Sequence, residues 1–117
     1  MATIYSEISP TEVSRKILAE EQFFILDVRE VWELDSARIT DPRVINIPMS
    51  VIGQKLFNAF PDELRNPETE IIVMCHHGVR SGSVSGWMIQ NGWKNINNLT
   101  GGIDAYAAEV DPSIGFY

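Results

Sequence analysis

The chain of 117 residues has the length of one ordinary domain, and its 44% hydrophobic and 21% charged residues are typical of a folded globular protein. Its 16 acidic and 9 basic residues give a net charge of −7, which disfavours nucleic acids and anionic membranes because both require clustered positive charge. A single cysteine excludes an internal disulfide. The first residues lack the basic and apolar regions of a secretory signal, so we expect a cytoplasmic protein.

The first half of the sequence predicts a helix, a buried strand and several shorter elements. Ser9 and Pro10 have the order of a helix N-terminus. Val13, Ile17 and Leu18 give this helix an apolar face. The elements that follow are a buried apolar strand at 23–28, a short helix at 30–37, a loop at 38–43 and a short strand at 44–47.

The second half predicts a helix or turn region at 57–67, a buried strand at 71–75, a loop at 76–80, a helix at 81–90, a strand at 95–99 and a last helix after Gly101 and Gly102. Alternating strands and helices indicate an α/β domain with a mainly parallel sheet. Ligands bind such sheets beyond the carboxyl ends of the strands, which is where Asp27 and Cys75 fall.

The segment from Cys75 to Ser81 carries the strongest chemical signal. Cys75 ends a buried strand and precedes a tight loop and a helix, so unpaired backbone N–H groups should face its sulfur and favour an anion. Gly78 permits a positive φ, and Arg80 adds a permanent charge that suits oxyanions. An isolated cysteine in an apolar strand is often only a small buried side chain. The attached loop, glycine and arginine favour a nucleophile instead.

Zinc, redox and phosphatase sites are the alternatives for this loop. Zinc is disfavoured because Cys75, His76 and His77 are consecutive and no second pair of ligands exists, so we expect no metal. A Cys-x-x-Cys redox site is excluded by the single cysteine. A cysteine phosphatase remains open, since the same cradle would hold phosphate. The two histidines either face solvent or, when protonated, support the anion, and the sequence favours neither role.

The loop Cys75-His76-His77-Gly78-Val79-Arg80-Ser81 closely resembles the Cys-x-x-Gly-x-Arg-Ser active-site loop of rhodanese-like sulfurtransferases. Three further segments resemble the same family in the same order, namely Asp27-Val28-Arg29-Glu30 with Glu33, Asn46-Ile47-Pro48, and Leu99 to Tyr106 around Gly101-Gly102. The stretch at 36–45 departs from the family because it lacks the usual histidine and glycines.

The resemblance implies a rhodanese-like three-layer domain over 1–117, with a central five-stranded, mainly parallel sheet flanked by helices. It also implies a sulfurtransferase without a cofactor, which moves sulfur from a donor such as thiosulfate to a thiol, cyanide or a protein acceptor. By position, Cys75 is the nucleophile and Arg80 contributes charge at the rim. The implied substrate cradle is the backbone of His76, His77, Gly78, Val79 and Ser81. Asp27 and Arg29 would support it through hydrogen bonds and a salt bridge with Glu30 or Glu33, and the alternative for these two residues is an ordinary structural ion pair.

Two alternatives to sulfur transfer remain at this point. One is a non-catalytic binding module in which the cysteine is incidental. The other is a phosphatase or arsenate reductase, which is disfavoured because the family's phosphatases carry a loop one residue longer than the six residues from Cys75 to Arg80. The tail at 109–117 resembles the ends of rhodanese domains attached to adenylyltransferases. It suggests a ubiquitin-like sulfur carrier or its activating enzyme as partner, or else a terminus packed on the surface.

Overall fold

In the part of the chain that the structure describes, five parallel strands form one sheet in the order β1-β5-β4-β2-β3. The structure is a computed structural model that describes residues 5–117. The first residues of the chain, where the sequence shows no secretory signal, therefore lie mostly outside the described residues. The strands are β1 (Ser6–Ile8), β2 (Phe24–Asp27), β3 (Val44–Asn46), β4 (Ile71–Met74) and β5 (Ile96–Leu99). The expected five-stranded α/β fold is confirmed.

Within residues 5–117, four α-helices flank the sheet: α1 (Pro10–Leu18), α2 (Met49–Lys55), α3 (Val79–Gln90) and α4 (Gly102–Glu109). Short 3-10 helices lie at Val31–Asp35, Leu56–Ala59, Asp62–Leu64 and Pro112–Ile114. The predicted start of α1 is confirmed, because the Ser9 side chain accepts a hydrogen bond from the backbone N–H of Glu12. Leu18 does not belong to the apolar face, since it is 81% exposed.

Several sequence-based boundaries were wrong. The short helix predicted at 30–37 is a 3-10 helix confined to Val31–Asp35, and α3 begins at Val79 rather than Ser81. Val79 and Arg80 therefore belong to the first turn of a helix, because Gly78 completes the turn with a φ of 98°. The strand β1 and the helix α2 were not predicted. In β1, Ile8 is the single apolar residue, so the strand carries almost no pattern.

The sheet separates two apolar layers, as its alternating side chains require. On one face, Leu26 and Val73 pack with Met88 of α3 and with Phe60. On the other face, Ile25 and Ile72 pack with side chains of α1 and α4, among them Val13, Ile103 and Tyr106. Burying each of these large side chains contributes about 1.5–3 kcal/mol. The apolar composition of β2 and β4 thus follows from their cover on both faces.

The carboxyl ends of β2, β3 and β4 meet at one edge of the sheet. Asp27 pairs in register with Met74 on one side and with Asn46 on the other. Cys75 directly follows Met74, so the pairing places it beside the end of β2. No helix within residues 5–117 is long and apolar enough to cross a membrane.

Candidate active site around Cys75

The sulfur of Cys75 lies at the N-terminus of α3, inside a turn of backbone N–H groups. Its Sγ accepts hydrogen bonds from the backbone N–H of Gly78 at 3.1 Å and of Ser81 at 3.3 Å. The residue is 1% exposed. Two converging N–H groups and the positive end of the α3 dipole favour negative charge on this sulfur.

The two glycines at the start of α4 let that helix approach the Cys75 loop closely. The backbone N–H of Ile103 donates to the carbonyl of Cys75 at 2.9 Å, and that of Asp104 donates to the carbonyl of His76 at 3.1 Å. A Cβ on Gly102 would collide with the His76 carbonyl and lie 2.6 Å from that of Cys75. The glycine pair therefore lets α4 satisfy two loop carbonyls by direct contact.

A buried hydrogen-bond network holds the outer side of the loop. The Ser81 hydroxyl is 2.5 Å from Oδ1 of Asn98, and Asn98 Nδ2 donates to the carbonyl of Gly78 at 3.1 Å. Ser81 and Asn98 are 0% and 3% exposed, respectively. Asn98 thus positions the residues on either side of the α3 N-terminus. Sequence reasoning missed Asn98, because a polar residue inside a short strand carries no distinctive motif.

Arg80 is engaged by an acidic residue rather than standing free at the rim. Its Nη1 and Nη2 atoms lie 2.7 and 2.8 Å from the two carboxylate oxygens of Glu33. The hydrogen bonds from Arg80 lower the pKa of Glu33 to about 2, against the opposing effect of burial. The backbone N–H of Glu30 also donates to Glu33 at 2.8 Å. The charge of Arg80 is therefore compensated within the site.

Asp27 and Arg29 form a fully buried ion pair beneath the loop. Arg29 Nε lies 3.0 Å from Asp27 Oδ1 and Nη2 lies 2.8 Å from Oδ2. The side chain of Asn46 donates to the backbone carbonyls of both residues at 2.9 Å. The expected salt bridge of Arg29 with Glu30 or Glu33 is wrong. The Glu33 carboxylate is held by Arg80, and that of Glu30 accepts from the hydroxyl of Ser50.

The two histidines differ in their surroundings. The ring of His76 is stacked between His77, at 3.8 Å between centroids, and Tyr117, at 3.7 Å. Burial, assisted by His77, lowers the pKa of His76, so its ring is neutral at neutral pH. The side chain of His77 is 62% exposed, and its Nε2 lies 3.8 Å from a carboxylate oxygen of Asp104.

Within residues 5–117, one group of side chains is close enough to share a metal ion. Ligand atoms of His76, His77 and Asp104 lie within 4.8 Å of one another. The rings of His76 and His77 are stacked 3.8 Å apart, with 23° between their planes, so the lone pairs of their nitrogens lie in two separate and nearly parallel planes. A tetrahedral zinc site needs converging lone pairs, which this stack does not offer. Nothing in the sequence indicated that Asp104 would lie beside the two histidines.

Comparison with curated proteins identifies relatives of different sizes. The chain is 34% identical to the Rhodanese-like/PpiC domain-containing protein 12 of Arabidopsis thaliana, with 80% of the chain and 30% of that protein covered. It is 31% identical to Putative sulfurtransferase YtwF of Bacillus subtilis, covering 91% of the chain and 94% of the relative. It is also 31% identical to Putative sulfur carrier protein YrkF of Bacillus subtilis, covering 94% and 55%.

Other relatives carry different names and are much longer than the matched region. The chain covers 22% of an Adenylyltransferase and sulfurtransferase UBA4 from Meyerozyma guilliermondii at 33% identity. It covers 34% of a tRNA uridine(34) hydroxylase from Streptococcus pyogenes at 29% identity. The region that these proteins share with the chain therefore occurs alongside several overall activities.

Solved structures share the fold over most of the chain. A rhodanese-related protein from Thermoplasma volcanium superposes with a TM-score of 0.73 at 29% identity, covering 91% of this chain and 94% of that one. Protein SSP1007 from Staphylococcus saprophyticus superposes with a TM-score of 0.71 at 32% identity, covering 91% and 97%. The family model of the rhodanese-like domain matches residues 9–109. The chain therefore belongs to the rhodanese-like domain family.

Proposed function

We propose that this chain is a sulfurtransferase that carries sulfane sulfur as a persulfide on Cys75. The observation that supports this most directly is the placement of Sγ, which accepts two backbone N–H groups at the start of α3. Such donors stabilise a thiolate or a persulfide anion without having to gain or lose a proton. We further propose that residues 1–117 act as one domain in the cytoplasm, where a free thiol persists.

The proposed reaction proceeds in two displacements at sulfur. The Cys75 thiolate attacks the outer sulfur of a donor such as thiosulfate, the S–S bond of the donor breaks, and sulfite leaves with the electron pair. The resulting Cys–S–S⁻ anion occupies the turn formed by Gly78 to Ser81. An acceptor thiolate or cyanide then attacks the terminal sulfur, and the Cys75 thiolate leaves and is regenerated.

Intact mass spectrometry tests this proposal directly. Incubation with thiosulfate is expected to add the mass of one sulfur atom, and cyanide or dithiothreitol is expected to remove it. Cys75→Ser is the matched control, because no other cysteine exists in the chain. A wild-type protein that never gains sulfur from thiosulfate, from a polysulfide or from a persulfide donor would contradict the proposal.

We also propose that the acceptor is a protein, of the class of small ubiquitin-like sulfur carriers or their activating enzymes. Support comes from an apolar groove between α2 and α3, lined by Met49, Ile52, Leu56, Val84 and Trp87. Val79, one helical turn before the Ser83 rim of this groove, is 78% exposed on the Cys75 loop. An apolar surface that continues to the reactive loop suits a protein acceptor better than a small anion. Relatives named as a sulfur carrier and as an adenylyltransferase and sulfurtransferase point to the same class.

Transfer of radioactive sulfur separates protein acceptors from small thiols. Protein labelled on Cys75 is offered a ubiquitin-like carrier, its activating enzyme and glutathione in parallel. Faster transfer to one of the proteins is expected, and Leu56→Ala, in the groove at a side chain that is 53% exposed, should slow that transfer while leaving transfer to cyanide unchanged. Equal transfer to glutathione and to every protein would favour a general thiol acceptor.

A further inference from the structure

Tyr117 returns from the far end of the sequence to the reactive loop. Its ring stacks on that of His76, with 3.7 Å between centroids and 5° between planes. Its hydroxyl accepts a hydrogen bond from Arg29 Nη1 at 3.2 Å and donates one to Glu33 Oε1 at 2.9 Å. One side chain therefore contacts three parts of the site at once.

The hydroxyl of Tyr117 joins two ion pairs. On one side lies the buried pair of Asp27 and Arg29, and on the other lies the pair of Glu33 and Arg80. The hydroxyl occupies the place between Arg29 Nη1 and the Glu33 carboxylate. Without it, the guanidinium of Arg29 would attract that carboxylate, and Glu33 would be shared between two arginines. The Tyr117 hydroxyl thus keeps the Glu33 carboxylate paired with Arg80.

The ring of Tyr117 performs a separate task at His76. Nε2 of His76 is buried and lacks a hydrogen-bond partner within the described residues. The ring of Tyr117 covers one face of the His76 ring, and the ring of His77 covers the other. His76 directly follows Cys75, and its carbonyl accepts from the start of α4. Fixing its ring helps to fix the first residue of the loop.

The backbone conformation of the tail at 111–117 places Tyr117 in the site. Gly115 has a φ of 106°, and a Cβ there would lie 2.7 Å from the carbonyl oxygen of Ser36. Asp111 accepts a hydrogen bond from the backbone N–H of Ser113 and orders the turn that precedes Gly115. The chain therefore passes close against the segment after the 3-10 helix Val31–Asp35, and this brings Tyr117 beside Glu33.

We propose that Tyr117 is a positioning residue of the active site, which holds Arg80 through Glu33 and holds the His76 ring by stacking. This deepens the proposed function, on which it rests only in treating Cys75 as the reactive thiol. The residue does not touch the reacting sulfur. Its role is to keep the charge of Arg80 compensated by Glu33 at the rim of the cradle, which sets the electrostatic field that incoming anions meet.

The test compares two alkylating reagents that differ in charge. Iodoacetate is an anion and iodoacetamide is neutral, so the ratio of their rates with Cys75 reports the positive field at the sulfur, with N-acetylcysteine as reference. Tyr117→Phe keeps the ring and removes only the hydroxyl. Because Glu33 would then be shared with Arg29 and would compensate Arg80 less, we expect the iodoacetate to iodoacetamide ratio to rise about threefold or more, the size of effect that moving one nearby charge produces. Tyr117→Ala should raise the ratio further.

Two additional variants make the outcome decisive. Gly115→Ala should displace the tail and reproduce the effect of Tyr117→Ala, whereas Phe116→Ala, at a side chain that is 55% exposed, should leave the ratio unchanged. Circular dichroism tests whether each variant is folded. If Tyr117→Ala or Gly115→Ala does not fold, the result for Tyr117→Phe alone tests the proposal.

The proposal is overturned if Tyr117→Phe keeps the ratio within about twofold of wild type, a change too small to reflect a displaced charge. It is also overturned if Tyr117→Phe lowers the ratio, because Arg80 would then be compensated more strongly, and not less, without the hydroxyl. No sulfur donor is used, so a failure of sulfur transfer in the mass experiment leaves this result interpretable.

Discussion

Arg80 and Glu33 face each other in an ion pair with two hydrogen bonds, 2.7 and 2.8 Å long, although they are 47 positions apart in the chain. Arg80 belongs to the first turn of α3, and Glu33 belongs to the 3-10 helix that follows β2. The pair therefore fastens the reactive loop to the neighbouring strand end. Because the charge of Arg80 is compensated, the backbone N–H groups of Gly78 and Ser81 become the main source of stabilisation for an anionic sulfur.

Glu33→Gln is expected to lower the free energy of unfolding at neutral pH by about 1–3 kcal/mol, since Arg80 loses its charged partner at a nearly buried position. Hydrogen bonds from Arg80 lower the pKa of Glu33 from 4.5 to about 2. A lowered pKa stabilises the folded protein above the ordinary value and loses this contribution as the pH falls through the folded value. The difference between wild type and variant should thus shrink as the pH falls from 4.5 towards 2.

Urea unfolding across this pH range measures the effect. Glu63→Gln, at an exposed position of the 3-10 helix Asp62–Leu64, is the matched control and should change the free energy of unfolding little at any pH. If the cost of Glu33→Gln stayed the same down to a pH near 2, the ion pair with Arg80 would not be the source of its stabilisation.

Cys75→Ser is expected to remove sulfur transfer and to leave the fold intact. The hydroxyl that replaces the thiol can accept the same N–H groups from Gly78 and Ser81, so the loop keeps its donors satisfied. The assay is thiocyanate formation from thiosulfate and cyanide, with circular dichroism to establish folding. Activity near the wild-type level in the folded variant would show that another group carries the sulfur.

Much of the central fold could be predicted because buried parallel strands are apolar on both faces. The segments that became β2 and β4 were recognisable for this reason, and the capping serine marked α1. The strand β1 has only three residues at the edge of the sheet, with Ile8 as its one apolar side chain. The helix α2 contains Gly53, a weak helix former, so neither element had a clear pattern.

The partners of the charged side chains could not be predicted in the same way. Glu33 was foreseen near Arg29, yet it pairs with Arg80, because the choice depends on how the ends of β2 and α3 are placed in space. Tyr117 reaches the site through the positive φ of Gly115, which no local pattern announces. The loop from Cys75 to Ser81 was recognised because its residues are consecutive. The network around it is assembled from distant segments.

Gly102→Ala is expected to disrupt the site severely, whereas Gly53→Ala should stabilise the protein slightly. At Gly102, φ is +65° and the new Cβ would collide with the backbone of His76, so either α4 or the Cys75 loop must move. We expect a loss of stability of about 2 kcal/mol or more together with loss of transfer. At Gly53 nothing lies within 4 Å of the new Cβ, and alanine in a helix gains about 0.5–1 kcal/mol over glycine.

Thermal unfolding and the thiocyanate assay compare the two variants with wild type. The contrast is informative because the chemical change is the same at both positions. If Gly102→Ala were as stable and as active as Gly53→Ala, then the close approach of α4 to the loop would not be needed for the geometry of the sulfur site.

Wild-type protein is expected to hydrolyse p-nitrophenyl phosphate at no more than background rate while it forms thiocyanate from thiosulfate and cyanide. Phosphoryl transfer requires a guanidinium that grips the phosphoryl oxygens, preferably through two parallel hydrogen bonds. In this site, two N–H groups of Arg80 are already committed to Glu33, and the loop from Cys75 to Arg80 has six residues.

The variant Glu33→Gln serves as the comparison, because it weakens the ion pair that holds Arg80. Phosphate hydrolysis that appears in Glu33→Gln alone would identify the compensated arginine as the barrier. Hydrolysis by wild type that exceeds its thiocyanate formation would replace the sulfurtransferase interpretation with a phosphatase.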